Sequence, residues 1–124
     1  MPVKTPTPRM VAFDLLTAVL RQKHPLDQAI TDHPVFAGLE DRDRGFARAM
    51  VGTTLRRLGQ IDTLIGLALD RPLPKKTQGA HDCLRLGLCQ LLFLGTPPHA
   101  AVGETVALAQ ALGHVPHKAL INAV

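Results

Sequence analysis

The sequence predicts an all-α protein, a compact bundle of about six to seven helices, and three observations carry that expectation. Apolar residues recur three and four positions apart along most of the chain, the period of a helix with one buried face. No segment sustains the apolar–polar alternation of a half-buried strand. Proline and glycine interrupt the periodic stretches at the places where one helix must stop and another begin. At 124 residues and 46% hydrophobic, the chain fits one domain able to bury a core without disulfide or metal staples.

Residues 1–8 read as a flexible Pro/Thr tail and residues 9–124 as the helical domain. Ala12, Leu15, Leu16, Val19 and Leu20 mark the first helix, closed by Pro25. Leu26, Ala29 and Ile30 form a short second helix that ends at His33-Pro34. The run Glu40-Asp41-Arg42-Asp43-Arg44 opens the third with its acids early, as the helix dipole favours. Its stripe is Ala47, Met50, Val51, Thr54, Leu55 and Leu58, with Gly59 as the expected cap. Ile61, Leu64, Ile65 and Ala68 form the fourth, stopped by Arg71-Pro72-Leu73-Pro74.

Thr77 is the expected cap of a fifth helix with the stripe Ala80, Cys83, Leu84, Leu88, Leu91 and Leu92, widened by Leu86, Phe93 and Leu94. A helix apolar nearly all round is surrounded by neighbours, so the fifth is expected at the centre, with Leu88 in the core. Ala101, Val102, Thr105, Val106, Ala109 and Leu112 make the sixth, capped by Gly113, and Pro116 starts a seventh through Leu120, Ile121 and Val124. Glycines fall at 38, 45, 52, 59 and 66 without any recurrence of their neighbours, which reads as packing and coincidence rather than a repeat. Gly45 and Gly52 share a helix face and are expected to admit a close helix contact.

Several function classes are excluded or weakened. The longest apolar stretch, Leu86–Leu94, is broken by Gly87 and Gln90 and falls well short of the ~20 residues of a membrane span. No charged-then-apolar export signal opens the chain, so a cytoplasmic location is expected. Cys83 and Cys89 lie six residues apart in one helix, about 9 Å, beyond the ~7 Å limit for a bridge, and read as small buried hydrophobes. His114-x-x-His117 lacks further ligands, and His81-x-Cys83 places its two groups in different directions, so no metal site is expected. No phosphate-cradling or nucleophile motif is present, and Asp41 and Asp43 read as helix N-terminal charges, so no catalytic residue is expected.

The net charge is +4, and the excess is +2 in residues 1–62 and +2 in residues 63–124, so any basic patch must be assembled by folding. At ~100° per residue, Arg42, Arg56 and Arg57 fall opposite the apolar stripe of the third helix, with Arg48 flanking. Such a face is either ordinary solvated surface or a phosphate-binding surface. Lys4 and Arg9, in and just after the tail, admit the same two readings. Arg21, on the first helix, is the expected control for net charge alone. With four Phe and neither Trp nor Tyr, few aromatics are free to stack bases.

Specific strings then narrow the reading. Arg42-Asp43-Arg44-Gly45-Phe46-Ala47, continuing through Val51-Gly52-Thr53-Thr54-Leu55-Arg56 to Ile61-Asp62-Thr63-Leu64-Ile65, resembles the RDR…GVLR…LD.L pattern of NusB-like domains. So do Leu84-Arg85-Leu86-Gly87-Leu88-Cys89-Gln90-Leu91-Leu92, Pro97-Pro98-His99-Ala100-Ala101-Val102-Gly103-Glu104-Thr105-Val106 and Ala119-Leu120-Ile121-Asn122-Ala123-Val124. The resemblance covers nearly everything beyond the tail and implies a NusB-like bundle. Two branches share that fold: stand-alone transcription antitermination factors, and the N-terminal domains of bacterial 16S rRNA cytosine-5 methyltransferases of the RsmB (Sun) type. The strings Gly-Leu-Cys-Gln-Leu-Leu, Pro-Pro-His-Ala-Ala with Glu-Thr, the Asp70-Arg71-Pro72-Leu73 turn and the spacing from Lys118 to Asn122 are more similar to the methyltransferases. Cys89, where an aromatic is common, and Gly103, where Asn or Ala is usual, depart from the pattern.

What the resemblance implies is an RNA-binding or positioning domain, with Arg9, Arg42, Arg48, Arg56, Arg57 and Lys118 as candidate contacts. The implied partners are RNA, 16S rRNA in particular, and the protein's own C-terminal catalytic domain, with no membrane. The family motif continues beyond the point where Val124 ends this chain, so a truncation before a SAM-binding catalytic domain is expected. Cys83 and Cys89 do not match the catalytic cysteines of that domain, and no cofactor is expected in this chain. The alternatives are an antitermination factor that binds RNA with a ribosomal protein, and an interaction module that docks protein and never touches RNA.

Overall fold

The structure, a computed structural model, describes residues 7–68 and 78–111. Six α-helices and one 3-10 turn account for most of them, with no strand among the described residues. The expectations for Thr77, Leu112, Gly113 and a seventh helix, and for the tail before Thr7, lie outside the described residues.

Helix α1 (Pro8–Leu20) starts where a side chain can cap it: the Thr7 hydroxyl accepts the Met10 amide at 3.1 Å, and Pro8 occupies the first turn. Pro8, read above as the end of the tail, is therefore the first residue of the helix. Val11, Ala12, Leu15 and Leu16 form its buried face. Lys23 then adopts the left-handed conformation (φ 62°), which lets the His24 amide bond back to the Ala18 carbonyl at 3.1 Å. The same device ends the fifth helix, where Gly95 (φ 69°) precedes a Thr96 amide bonded to the Gln90 carbonyl at 3.1 Å.

Helix α2 (Leu26–Asp32) ends at His33, whose Nδ1 accepts the Val35 and Phe36 amides at 3.1 and 3.2 Å. That fixes the ring proton on Nε2, which meets Asp14 at 2.9 Å and ties the turn to α1. The 3-10 turn Phe36–Gly38 leads into α3 (Asp41–Arg56), whose core face is Ala47, Met50, Val51 and Thr54. The break before α4 (Leu58–Ala68) comes at Arg57, not at Gly59. Arg57 turns the chain at φ −108°, ψ 18°, a negative φ that any residue adopts, so no glycine is required. Gly59 consequently sits in the first turn of α4, and Leu58 begins that helix rather than ending α3.

Helix α5 (Gln78–Phe93) packs against α1, α3, α4 and α6 (Pro98–Ala111) and is central, as its composition requires. Its buried set differs from the expected stripe. Ala80, Cys83, Leu84, Leu86 and Cys89 are buried, Leu88 and Leu91 only half-buried, and Leu92 and Phe93 exposed. Neighbours on several sides reward more than one stripe, but among the described residues they run out at the helix's C-terminal end. The core gathers Leu15 and Leu16 of α1, Met50 and Val51 of α3, Ile61 and Ile65 of α4, and Leu86 of α5. Gly45 makes no close helix contact and Gly52 meets only an Arg56 side chain; the close approach is instead at Gly87, against Thr105 of α6.

Candidate nucleic-acid interface

The arginines of α3 are held outward because the opposite face of the helix is fixed in the core. Arg42, Arg48, Arg56 and Arg57 are all exposed, spread over about 22 Å of helix. Arg48 and Arg56 share a shallow groove of ≈ 420 Å³ with Leu26, Gly45, Ala49 and Gly52. The two glycines and the alanine keep its floor low, which explains why these positions lack bulk although none of the described helices packs closely on the glycines. Arg48 is 3.4 Å from Asp27 of α2, and Arg56 donates to the Thr53 hydroxyl at 3.2 Å; both are exposed contacts that cost little to exchange for phosphate.

Arg57 departs from this groove. The turn at the helix end sends it toward α5, where its guanidinium lies 5.3 Å from the Phe93 ring centroid. Arg42 stands alone near the start of α3, with no ion pair among the described residues. Arg44, by contrast, is held by Asp41 and by the Ala37 carbonyl at 3.2 Å.

Arg9 is drawn inward. Its Nε donates to Gln90 Oε1 at 2.8 Å, its guanidinium lies 5.1 Å from the Phe46 ring centroid, and Glu104 is 3.9 Å away. Gln90 is itself buried and donates to the Leu86 carbonyl at 3.3 Å. Arg9 thus ties α1 to α5 and α6 and is not arranged with the α3 arginines. Lys118 lies outside the described residues.

A charged cluster that sequence reasoning missed sits between α1, α4 and α5. Asp82, 1% exposed, accepts from Arg21 at 2.9 Å and from Arg85 at 2.8 Å. Arg85 in turn grips Asp62 through two parallel bonds of 2.8 and 2.9 Å, and His81 stands 3.5 Å from Asp62. Only the i,i+3 pair of Asp82 and Arg85 could have been found from spacing. Burial pushes the Asp82 carboxyl up from its ordinary value, against the pull of Arg21 and Arg85. Burial also opposes the Arg85 charge, but its bonds and attraction to Asp62 and Asp82 prevail, so its pKa is raised. His81 is pushed down by burial and by the Arg85 charge. The cluster is charge-balanced and joins three elements. Arg21 is therefore unsuited as a charge control, because a Glu there would face buried Asp82.

Chemistry of the described residues is otherwise quiet. Burial, with Asp82 adding to it, pushes the Cys83 thiol up to about 12, and burial raises that of Cys89. Both stay protonated and behave as small hydrophobes. No group of three or more His, Cys, Asp or Glu among the described residues could hold a metal, and no helix there is long and apolar enough to cross a membrane.

The profile of the NusB family matches residues 6–124 of this sequence. The chain belongs to the NusB family. Similar proteins include the ribosomal RNA small subunit methyltransferase B of Escherichia coli O1:K1 / APEC, 34% identical over 116 residues. That alignment covers 94% of this chain and 27% of the relative, as does the one with its Escherichia fergusonii counterpart, also 34% identical. The chain thus spans about a quarter of the length of the curated relatives it matches. Two solved structures share the fold, each with a TM-score of 0.76 over 93% of this chain. One, 22% identical and covered over 87% of its length, is of antitermination factors NusB and NusE in complex with dsRNA. The other, 21% identical and covered over 86%, is described as a plectonemic RNA supercoil.

Proposed function

We propose that this NusB-family domain binds RNA through the outward face of α3 and positions 16S rRNA for a cytosine-5 methyltransferase to which it is N-terminal. The observation that carries the RNA reading is the groove in which Arg48 and Arg56 flank a floor of Gly45, Ala49 and Gly52. A low floor admits a sugar–phosphate backbone, and two arginines on its rim neutralise phosphates. The link to a methyltransferase is supported by 34% identity to the methyltransferase B relatives across nearly the whole chain. On this reading SAM and the catalytic cysteines belong to a C-terminal domain, and the present chain contributes binding and orientation. A second reading, a stand-alone antitermination factor, is supported by the fold shared with the solved structure of antitermination factors NusB and NusE in complex with dsRNA.

The test is fluorescence anisotropy of an rRNA fragment across a salt series. Neutralising three to four phosphates on a single strand gives a log–log slope of about −2 to −3. Arg48→Gln with Arg56→Gln should weaken binding and flatten the slope by about 1.4 while preserving the helical circular dichroism. His99→Glu with Ala107→Glu, on exposed positions of α6, changes the net charge by the same amount and is the control. Equal loss in both variants would remove any special role for the groove, and no binding at low salt would favour a domain that docks protein alone.

A further inference from the structure

The C-terminal end of α5 carries a feature that phosphate binding leaves unused. Phe93 is exposed at 37%, an unusual placement for one of only four aromatics in the chain. It lines an open groove of ≈ 610 Å³ together with Gly59, Gln60, Thr63 and Leu64 from the first two turns of α4. Arg57, at the junction of α3 and α4, lies with its guanidinium carbon 5.3 Å from the Phe93 ring centroid. None of the described residues that line this groove is a carboxylate.

We propose that this groove is a subsite for one unpaired RNA base, stacked on the planar pair of Phe93 and Arg57. The proposal rests on the RNA reading above and assigns it a second kind of contact. A base has an apolar face and a polar edge, and the groove offers both: Phe93 and Leu64 for the face, the Gln60 amide and Thr63 hydroxyl for the edge. Both an aromatic ring and a guanidinium plane stack bases, and here they are already paired, so little ordering remains to be done on binding. Arg57 adds a positive charge suited to the phosphate of the same nucleotide. Arg56 is the last residue of α3 and Arg57 the turn into α4, so a strand lying in the α3 groove has the α4–α5 groove next along its path. An apolar protein surface is the competing occupant, since Leu64, Leu67 and Leu92 are also exposed nearby in sequence. The cation on the ring and the lack of a carboxylate among the described lining residues favour the base.

The chain contains no Trp or Tyr, so Phe93→Trp installs a sole indole reporter at the site. Three probes separate the terms: single-stranded oligoadenylate, the same strand paired into a duplex, and an abasic oligonucleotide of equal charge. Oligoadenylate should quench the Trp emission, whereas duplex and abasic strand should bind without quenching. Phe93→Leu, which keeps the position apolar, should lower oligoadenylate affinity about 5- to 100-fold and leave abasic affinity unchanged. Unaltered emission on saturation with oligoadenylate, equal quenching by the abasic strand, or wild-type oligoadenylate affinity in Phe93→Leu overturns the subsite while phosphate binding stands. Failure of every probe to bind wild-type protein overturns the subsite and the RNA reading together.

Discussion

Replacing Gly87 by Ala tests the packing of α6 on the central helix. On helix propensity alone the change is favourable by about 1 kcal/mol. The tertiary structure reverses that sign. A Cβ on residue 87 would lie 2.4 Å from Thr105 Oγ1, 3.1 Å from its Cγ2 and 3.3 Å from its Cβ. Thr105 is buried, and its hydroxyl donates to the Ala101 carbonyl at 2.6 Å. Rotating this β-branched side chain either returns a heavy atom to the 2.4 Å position or leaves one at the 3.1 Å position, so the crowding is not fully relieved. Helix α6 must therefore retreat, at an overpacking cost of ~1–3 kcal/mol. The retreat also enlarges the cavity of ≈ 50 Å³ already lined by Leu84, Gly87, Leu88, Leu91, Ala101, Val102 and Thr105. Doubling it adds about 1 kcal/mol at the usual cost per cavity volume. Set against the propensity gain, Gly87→Ala should lose about 1–3 kcal/mol, read as a shift in urea midpoint at constant m-value. Adding Thr105→Ala leaves only the 3.3 Å contact with Cβ, so the double variant should be more stable than Gly87→Ala alone. A Gly87→Ala protein as stable as wild type, or a Thr105→Ala change that merely adds its own cost, would refute the close approach.

Two further outcomes follow from local geometry. Lys23→Gly should raise stability by about 1 kcal/mol, because Lys23 holds a left-handed φ that Gly95 adopts without a Cβ penalty at the matching end of α5; an unchanged or lower thermal midpoint would show that the turn is not strained. His81 has a folded pKa below the ordinary 6.5, so the unfolded chain takes up its proton first, and stability is lost as pH falls through about 6.5 toward the folded value. Asp82 works oppositely: its raised pKa makes ionisation costly in the fold, so its contribution is fully present below 3.8 and lost as pH rises through the folded value. Thermal melts of wild type and His81→Gln between pH 5 and 8 should therefore diverge at the acid end, and parallel curves would contradict the assignment.

The sequence alone makes legible the helical class, the order of the six described helices and the central place of α5, and also the helix ends to within about two residues, apart from the starts of α1, α4 and α6. These follow from a 3.6-residue apolar period and from proline and glycine stops, both local properties of the chain. It also determined that the α3 arginines oppose the core stripe, since angular position on a helix is fixed by residue number alone. The tertiary structure decided what those arginines meet. Arg9 lies 81 residues from Gln90, and Arg85 lies 23 from Asp62, so no spacing rule could join them or take Arg9 inward. The α3–α4 boundary moved to Arg57 because a bend with negative φ leaves no glycine signature. Gly45, Gly52 and Gly87 look alike in sequence, yet one faces open space, one an arginine, and one a buried threonine. Helix periodicity shows which residues share a face, but only the packing of one helix on another shows whether that face meets solvent, a side chain or a neighbouring backbone, and that depends on contacts far apart in the chain.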